Sequence, residues 1–204
     1  MEPVVPFVGL TGGMGAGKST ALAALERLGA AVLSSDAVVH ELYAHDERLR
    51  DAVVERWGAQ VAPGGVVDRS AVAARAFADA EERDWLEGLL WPLVGARVAA
   101  WLTDVRSAGE AAVREGPRAA VVEVPLLFEA GLDGLYDATI AVIADERLRH
   151  ERASARGHAL ADERSARQLP EQEKARRATF VVRNDGSEQE LEQVLSAVLD
   201  KLSG

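Results

Sequence analysis

The residues best suited to chemistry stand together near the amino end: Gly12-Gly13-Met14-Gly15-Ala16-Gly17-Lys18-Ser19-Thr20. Their spacing satisfies G-x-x-x-x-G-K-[ST], the pattern of a loop that cradles phosphate. Glycines let the main chain curl until successive N–H groups point at one anion. A helix starting at the end of such a loop adds its own unpaired N–H groups and positive partial charge. In this pattern Lys18 reaches the β- and γ-phosphates, and the Ser19 hydroxyl ligates Mg²⁺. A plain glycine-rich turn is the alternative. It gives no reason for Gly12, Gly13, Gly15 and Gly17 to crowd together at an entropic cost. Nor does it explain a lysine there, when the chain has only Lys18, Lys174 and Lys201.

Two carboxylates and a group of arginines come next. Asp36 follows the short apolar run Ala30-Ala31-Val32-Leu33, read as a strand, and Ser34-Ser35. Ligands of open α/β sheets sit at the carboxyl ends of the strands, which puts Asp36 on the edge that carries the glycine loop. The other reading is that Ser34, Ser35 or Asp36 caps the helix that follows. Glu123 sits near the end of Ala119-Ala120-Val121-Val122-Glu123-Val124. A carboxylate there supports Mg²⁺ or its waters, and pairing with a buried arginine is the equal alternative. Arg147, Arg149, Arg152, Arg156, Arg164, Arg167, Lys174, Arg176, Arg177 and Arg183 share one segment. A chain of net charge −10 that holds polyanionic phosphates must concentrate its positive charge locally. For most of these arginines, with Glu and Asp interleaved, a solvated helix face is the reading.

The elements that must position these groups follow from the pattern of the rest. The first strand runs into the glycine loop, and Ala21-Leu22-Ala23-Ala24-Leu25 opens a helix. Helical spacing recurs over residues 37–43, 48–57, 66–77 and 81–90. Pro92 interrupts the pattern at Trp91, and it resumes over 93–105. Strands return at 119–124, 137–143 and 179–182, with helices at 147–156, 162–168 and from 170, and a last helix at 187–202. The order predicts an α/β fold, a parallel doubly wound sheet of five strands. Its core would comprise 1–36, 117–146 and 179–204, with a helical insert at 37–116 and an arginine-rich lid at 147–178.

Composition narrows the classes. The 204 residues suit one domain with insertions. Without cysteine there is no disulfide, thiolate metal site or cysteine nucleophile, and the four histidines have no metal-site spacing. An acidic chain lacks the footprint of a general nucleic-acid binder. No apolar run approaches the roughly 20 residues of a membrane span. Met1-Glu2-Pro3 lacks the basic start of a secretory signal, so a cytoplasmic protein with no nucleic-acid or membrane partner is expected. A guanine-reading Asn-Lys-x-Asp is absent, since Asn184 is the only asparagine, and so is the Leu-Ser-Gly-Gly of transport ATPases. A small-molecule kinase remains. The insert would hold the acceptor, and the arginines would close over the transferred phosphate and exclude water.

The residues themselves then resemble one family, dephospho-coenzyme A kinase. Its Gly-Leu-Thr-Gly-Gly-x-Gly-x-Gly-Lys-Ser-Thr stands at residues 9–20, and its Pro-Leu-Leu-Phe-Glu is complete as Pro125-Leu126-Leu127-Phe128-Glu129. Leu-Asp-Arg is matched by Val67-Asp68-Arg69, and the lid's Arg-x-x-x-Arg by Arg152 and Arg156. Gln168 and Asn184 stand in their expected places. Three positions depart from the pattern: Ser34 replaces the first Asp of Asp-x-Asp, Trp91 replaces His before Pro92, and Glu123 replaces Asp.

The resemblance implies a P-loop NTPase fold and phosphorylation of the ribose 3′-hydroxyl of dephospho-CoA by ATP with Mg²⁺, by a monomer or weak homo-oligomer. Asp36 would orient the hydroxyl and take its proton, while Lys18 and Arg152 stabilise the transferring group. Gly13, Met14, Gly15, Ala16, Gly17, Lys18, Ser19, Thr20, Arg156 and Asn184 would bind ATP. Asp36, Arg69, Leu126, Leu127 and Glu129 would bind the acceptor. Ser19 would ligate Mg²⁺, with Glu123 acting through water. Kinases of nucleotides, gluconate or shikimate-like acceptors are the alternative within enzymes. A nucleotide-binding switch is the alternative outside them, and it would need no acceptor base.

Overall fold

Five apolar runs become the strands β1 (Phe7–Gly12), β2 (Ala31–Ser34), β3 (Ala120–Glu123), β4 (Ala138–Ile143) and β5 (Phe180–Arg183). They form one parallel sheet in the order β2-β3-β1-β4-β5. Strands of a parallel sheet are covered on both faces and so read as nearly continuous apolar runs, which is why the sequence displays them plainly. The computed structural model describes residues 5–111, 116–155 and 167–202. The expected break at Gly157-His158 and most of the helix expected over 162–168 lie outside the described residues. Among these residues no helix is long and apolar enough to cross a membrane.

The chain divides into two compact units, Met1–Ser34 with Leu102–Gly204, and Ser35–Trp101. In the first, α1 (Lys18–Arg27) and α8 (Glu188–Leu202) cover one face of the sheet. Val8, Leu10, Val121, Ile140, Val142 and Val182 point to that face, against Leu25, Leu191, Leu195 and Leu199. Each buried leucine of this kind is worth about 1.5–3 kcal/mol over leaving it in water. On the other face α7 (Glu171–Arg177) meets β4 and β1, and Leu127 packs so closely on Gly9 that a Cβ there would clash. The helix α6 (Glu146–Ala155) follows β4.

The second unit is helical: α2 (Ser35–His45), α3 (Glu47–Trp57), α4 (Arg69–Ala78) and the part of α5 (Ala80–Ala111) that ends at Trp101. Aspartates start two of these helices. Asp46 accepts from Leu49 N, and Asp68 accepts from Ser70 N and Ala71 N, satisfying donors that helices leave unpaired. Glu82 gathers Arg56 (two bonds at 3.0 Å) and Trp57 Nε1 (2.7 Å), which holds its carboxyl below the usual range, the Arg56 bond first. Trp57 and Trp85 meet edge to face with ring centres 5.0 Å apart.

One expectation is corrected. Pro92 does not interrupt the helix, since α5 runs through it for 32 residues. Proline forfeits one N–H bond and crowds the carbonyl four residues back, here that of Gly88. A long helix keeps its bonds on both sides of that single loss, and Leu86 and Leu90 anchor the turns before it by burial.

Candidate active site

The glycine loop lies between the end of β1 and the start of α1. Gly15 and Gly17 hold φ of 74° and 93°, values open to glycine and strained for other residues. A Cβ on Gly15 would run into the Arg149 carbonyl, and one on Gly17 into the Asn184 amide. No side chain caps α1, in contrast to α3 and α4. Its first N–H groups are the ones a phosphate would take. Lys18 is half-buried, and its Nζ donates to the carbonyls of Gly12 (3.0 Å) and Gly13 (3.1 Å). Ser19 is exposed in the first turn, with Thr20 beside it half-buried.

The loop is braced from several sides. Asn184 Nδ2 donates to Ala16 O at 2.9 Å, and the residue is buried. The amide grips the loop's own main chain, a role apart from the expected nucleotide contact. Gln168 Oε1 accepts from Met14 N at 3.1 Å. Arg149 lies alongside Gly13 and Gly15, with its Nε 3.4 Å from the Glu171 carboxylate. Glu171 also accepts from Ala144 N. Burial raises the Glu171 carboxyl above the usual range, and Arg149 partly opposes the rise. A cavity of about 820 Å³ opens beside Gly13, lined by Ile143, Arg149, Gln168, Glu171 and Arg183 among others. Arg152 donates to the Asn184 carbonyl at 3.0 Å. Arg156 lies outside the described residues.

β2 and β3 end level, with Ser34 in register with Glu123, and β1 runs two residues further, since Glu123 pairs with Leu10. Glu123 is nearly buried there. The connection leaving β1 runs toward β2 and the one leaving its neighbour β3 runs the opposite way, toward β4, so this crevice is a topological switch point, where open sheets bind their ligands. Beyond it the Pro125–Glu129 stretch turns inward. Leu127 has no exposed surface, so it has none to offer an acceptor, and the expectation for it is corrected. Leu126 is half-buried. The Glu129 carboxylate is bound to Lys174 at 2.8 Å and to Leu169 N at 2.7 Å. Its visible partners are internal.

In the helical unit Asp36 lies exposed in the first turn of α2, two residues after β2 ends. One turn on, His40 Nδ1 meets Arg69 Nη1 at 2.5 Å. A guanidinium only donates, so that nitrogen is the acceptor and the ring proton is on Nε2. Tyr43, a turn further, is buried, which pushes its hydroxyl up to about 12, with Arg69 pulling the other way. Arg69 itself is exposed.

Sequence reading attached no role to Lys174, Arg149 or Glu171. The scarcity of lysine was the one signal for Lys174; Arg149 and Glu171 had none beyond their place in the arginine-rich segment.

A parallel sheet in this strand order, with a braced glycine loop leading into an uncapped helix, defines a P-loop nucleotide-binding α/β protein. The family model described as "CoaE: Dephospho-CoA kinase" matches residues 6–190. A dephospho-CoA kinase of Anaeromyxobacter dehalogenans is 38% identical over 201 residues, covering 97% of this chain and 92% of that one. The dephospho-CoA kinase of Deinococcus radiodurans is 39% identical over 198 residues, covering 96% and 91%. The crystal structure of TT1252 from Thermus thermophilus aligns with a TM-score of 0.74 at 35% identity, over 98% of this chain and all of that one. Dephospho-CoA kinase from Campylobacter jejuni shares the fold at a TM-score of 0.63 and 20% identity, covering 98% of each chain. The chain belongs to the dephospho-CoA kinase family.

Proposed function

We propose that this protein transfers the γ-phosphoryl group of ATP to the ribose 3′-hydroxyl of dephospho-CoA, giving coenzyme A and ADP, the last step of coenzyme A biosynthesis. Membership of the family over nearly the whole chain carries the reading.

The glycine loop and the first turn of α1 receive the triphosphate through main-chain N–H groups. Lys18 exchanges its two loop carbonyls for phosphate oxygens. Asp36, exposed and carrying no partner among the described residues that needs displacing, accepts the proton of the attacking hydroxyl, a role worth roughly 10²–10⁴-fold. Arg152 meets the charge that spreads over the equatorial oxygens of the transferring group. Arg69 binds the anionic part of the acceptor. Mg²⁺ takes oxygen ligands together with substrate phosphates. The Ser19 hydroxyl and the Glu123 carboxylate are donors of that kind and would hold it, and when bound it neutralises charge on the phosphates.

The test is ADP release from ATP, measured with dephospho-CoA, adenylate, gluconate and shikimate in parallel. Stimulation by dephospho-CoA alone is expected. Equal or greater stimulation by another acceptor would move the chain to a different substrate.

A further inference from the structure

Lys174 lies in α7 with none of its side chain exposed. A buried ammonium is costly unless it is paired and hydrogen-bonded. Here Nζ donates to Pro125 O at 2.9 Å and meets Glu129 Oε1 at 2.8 Å. The same oxygen accepts from Leu169 N at 2.7 Å. The neighbouring residue, Gln168, accepts from Met14 N inside the glycine loop. Thr11 Oγ1, at the end of β1, donates to the Pro125 carbonyl at 3.3 Å. These bonds close a circuit: Thr11 to Pro125, Lys174, Glu129, Leu169 and Gln168, and back to Met14, three residues from the start.

We infer that the buried Lys174–Glu129 pair is a positioning device for nucleotide binding, which sets the shape of the glycine loop through Leu169 and Gln168. Two observations separate this from a purely stabilising role. Well-packed apolar residues commonly replace a buried ion pair at no cost in stability, so stability alone gives no reason to keep the charges. Among the described residues Glu129 Oε2 is also buried with no hydrogen-bond partner, a cost that a purely stabilising contact would avoid. What an apolar pair lacks is an acceptor for Leu169 N, and with it the placement of the Gln168 carboxamide on the Met14 amide. The inference rests on the loop being the ATP site.

Two variants test it: Lys174→Met combined with Glu129→Leu, and Gln168→Ala. ATP affinity is measured by calorimetry without acceptor, beside melting temperature and the steady-state constants. The double variant is expected to melt near the parent. Both variants are expected to lose roughly 10–100-fold in kcat/KM for ATP, as a misplaced binding group does, with a matching loss in ATP affinity. KM for dephospho-CoA should stay within about twofold, a split that general loosening of the fold would not give. A double variant with parental melting and parental ATP affinity overturns the inference. If the double variant does not fold, Gln168→Ala with parental ATP affinity overturns it alone. Calorimetry keeps the two readings apart, because a parent that binds ATP but releases no ADP with dephospho-CoA refutes the substrate while the positioning role is still measured.

Discussion

The two units prepare for their ligands in opposite ways. Around the glycine loop several groups are already engaged from outside or within it: Lys18 on two carbonyls, Met14 N on Gln168, and Ala16 O on Asn184. The loop holds its shape before any triphosphate arrives, so binding need not supply the energy of ordering it. In the helical unit Asp36 and Arg69 stand exposed, and among the described residues Arg69 bonds the His40 imidazole. On the proposed function, the chemistry is divided between a preformed anion cradle, built largely from main chain, and a few solvated side chains carried on helices. A change to the cradle should therefore show first in ATP binding, whereas a change on the helices should show in the acceptor step.

Four substitutions probe that division. Asp36→Asn should lower turnover by roughly 10²–10⁴-fold, the worth of a general base. Its melting temperature and calorimetric ATP affinity should match the parent, and unchanged turnover would remove Asp36 from the mechanism. Asn184→Ala works on the cradle. It leaves the buried Ala16 carbonyl without its partner, at a cost of about 1–3 kcal/mol in urea unfolding, and it should weaken ATP binding as well. A loss of affinity at full stability would contradict the bracing role. Arg69→Ala should raise KM for dephospho-CoA roughly tenfold, since a hydrogen bond to a charged group is worth about 1.5–3 kcal/mol. ATP constants and melting should not move.

The smallest effect concerns Glu171. Its carboxyl titrates above the ordinary value in the folded chain, so the folded state holds its proton to higher pH than the unfolded state does. The contribution of this group to stability is therefore greatest below its ordinary pKa, and it declines as pH rises toward the raised folded value. Denaturation across weakly acidic pH should show that decline, and Glu171→Gln should remove it. An identical slope in the variant would mean that another group titrates there.

The sheet and the glycine loop were legible because their signals are local. Apolar runs mark strands buried on both faces, and the loop's glycines sit where φ is positive or a side chain would collide. What escaped depends on partners far along the chain. Nothing near Asn184 announces that its amide faces Ala16, 168 residues away. Glu129 and Leu127 lie in the most diagnostic block of the sequence, which invited an acceptor role. Their burial assigns one to the core and the other to Lys174. Pro92 misled for the converse reason, since a local rule that breaks short helices is outvoted in a long one.

The grip of Asn184 on the glycine loop also has a bearing on synthesis. The loop is translated well before its brace, which follows β5, 168 residues on. Until then the partly made chain carries the glycine loop without that support, and a nascent polypeptide halted before β5 would hold nucleotide weakly even with its first strand and helix in place.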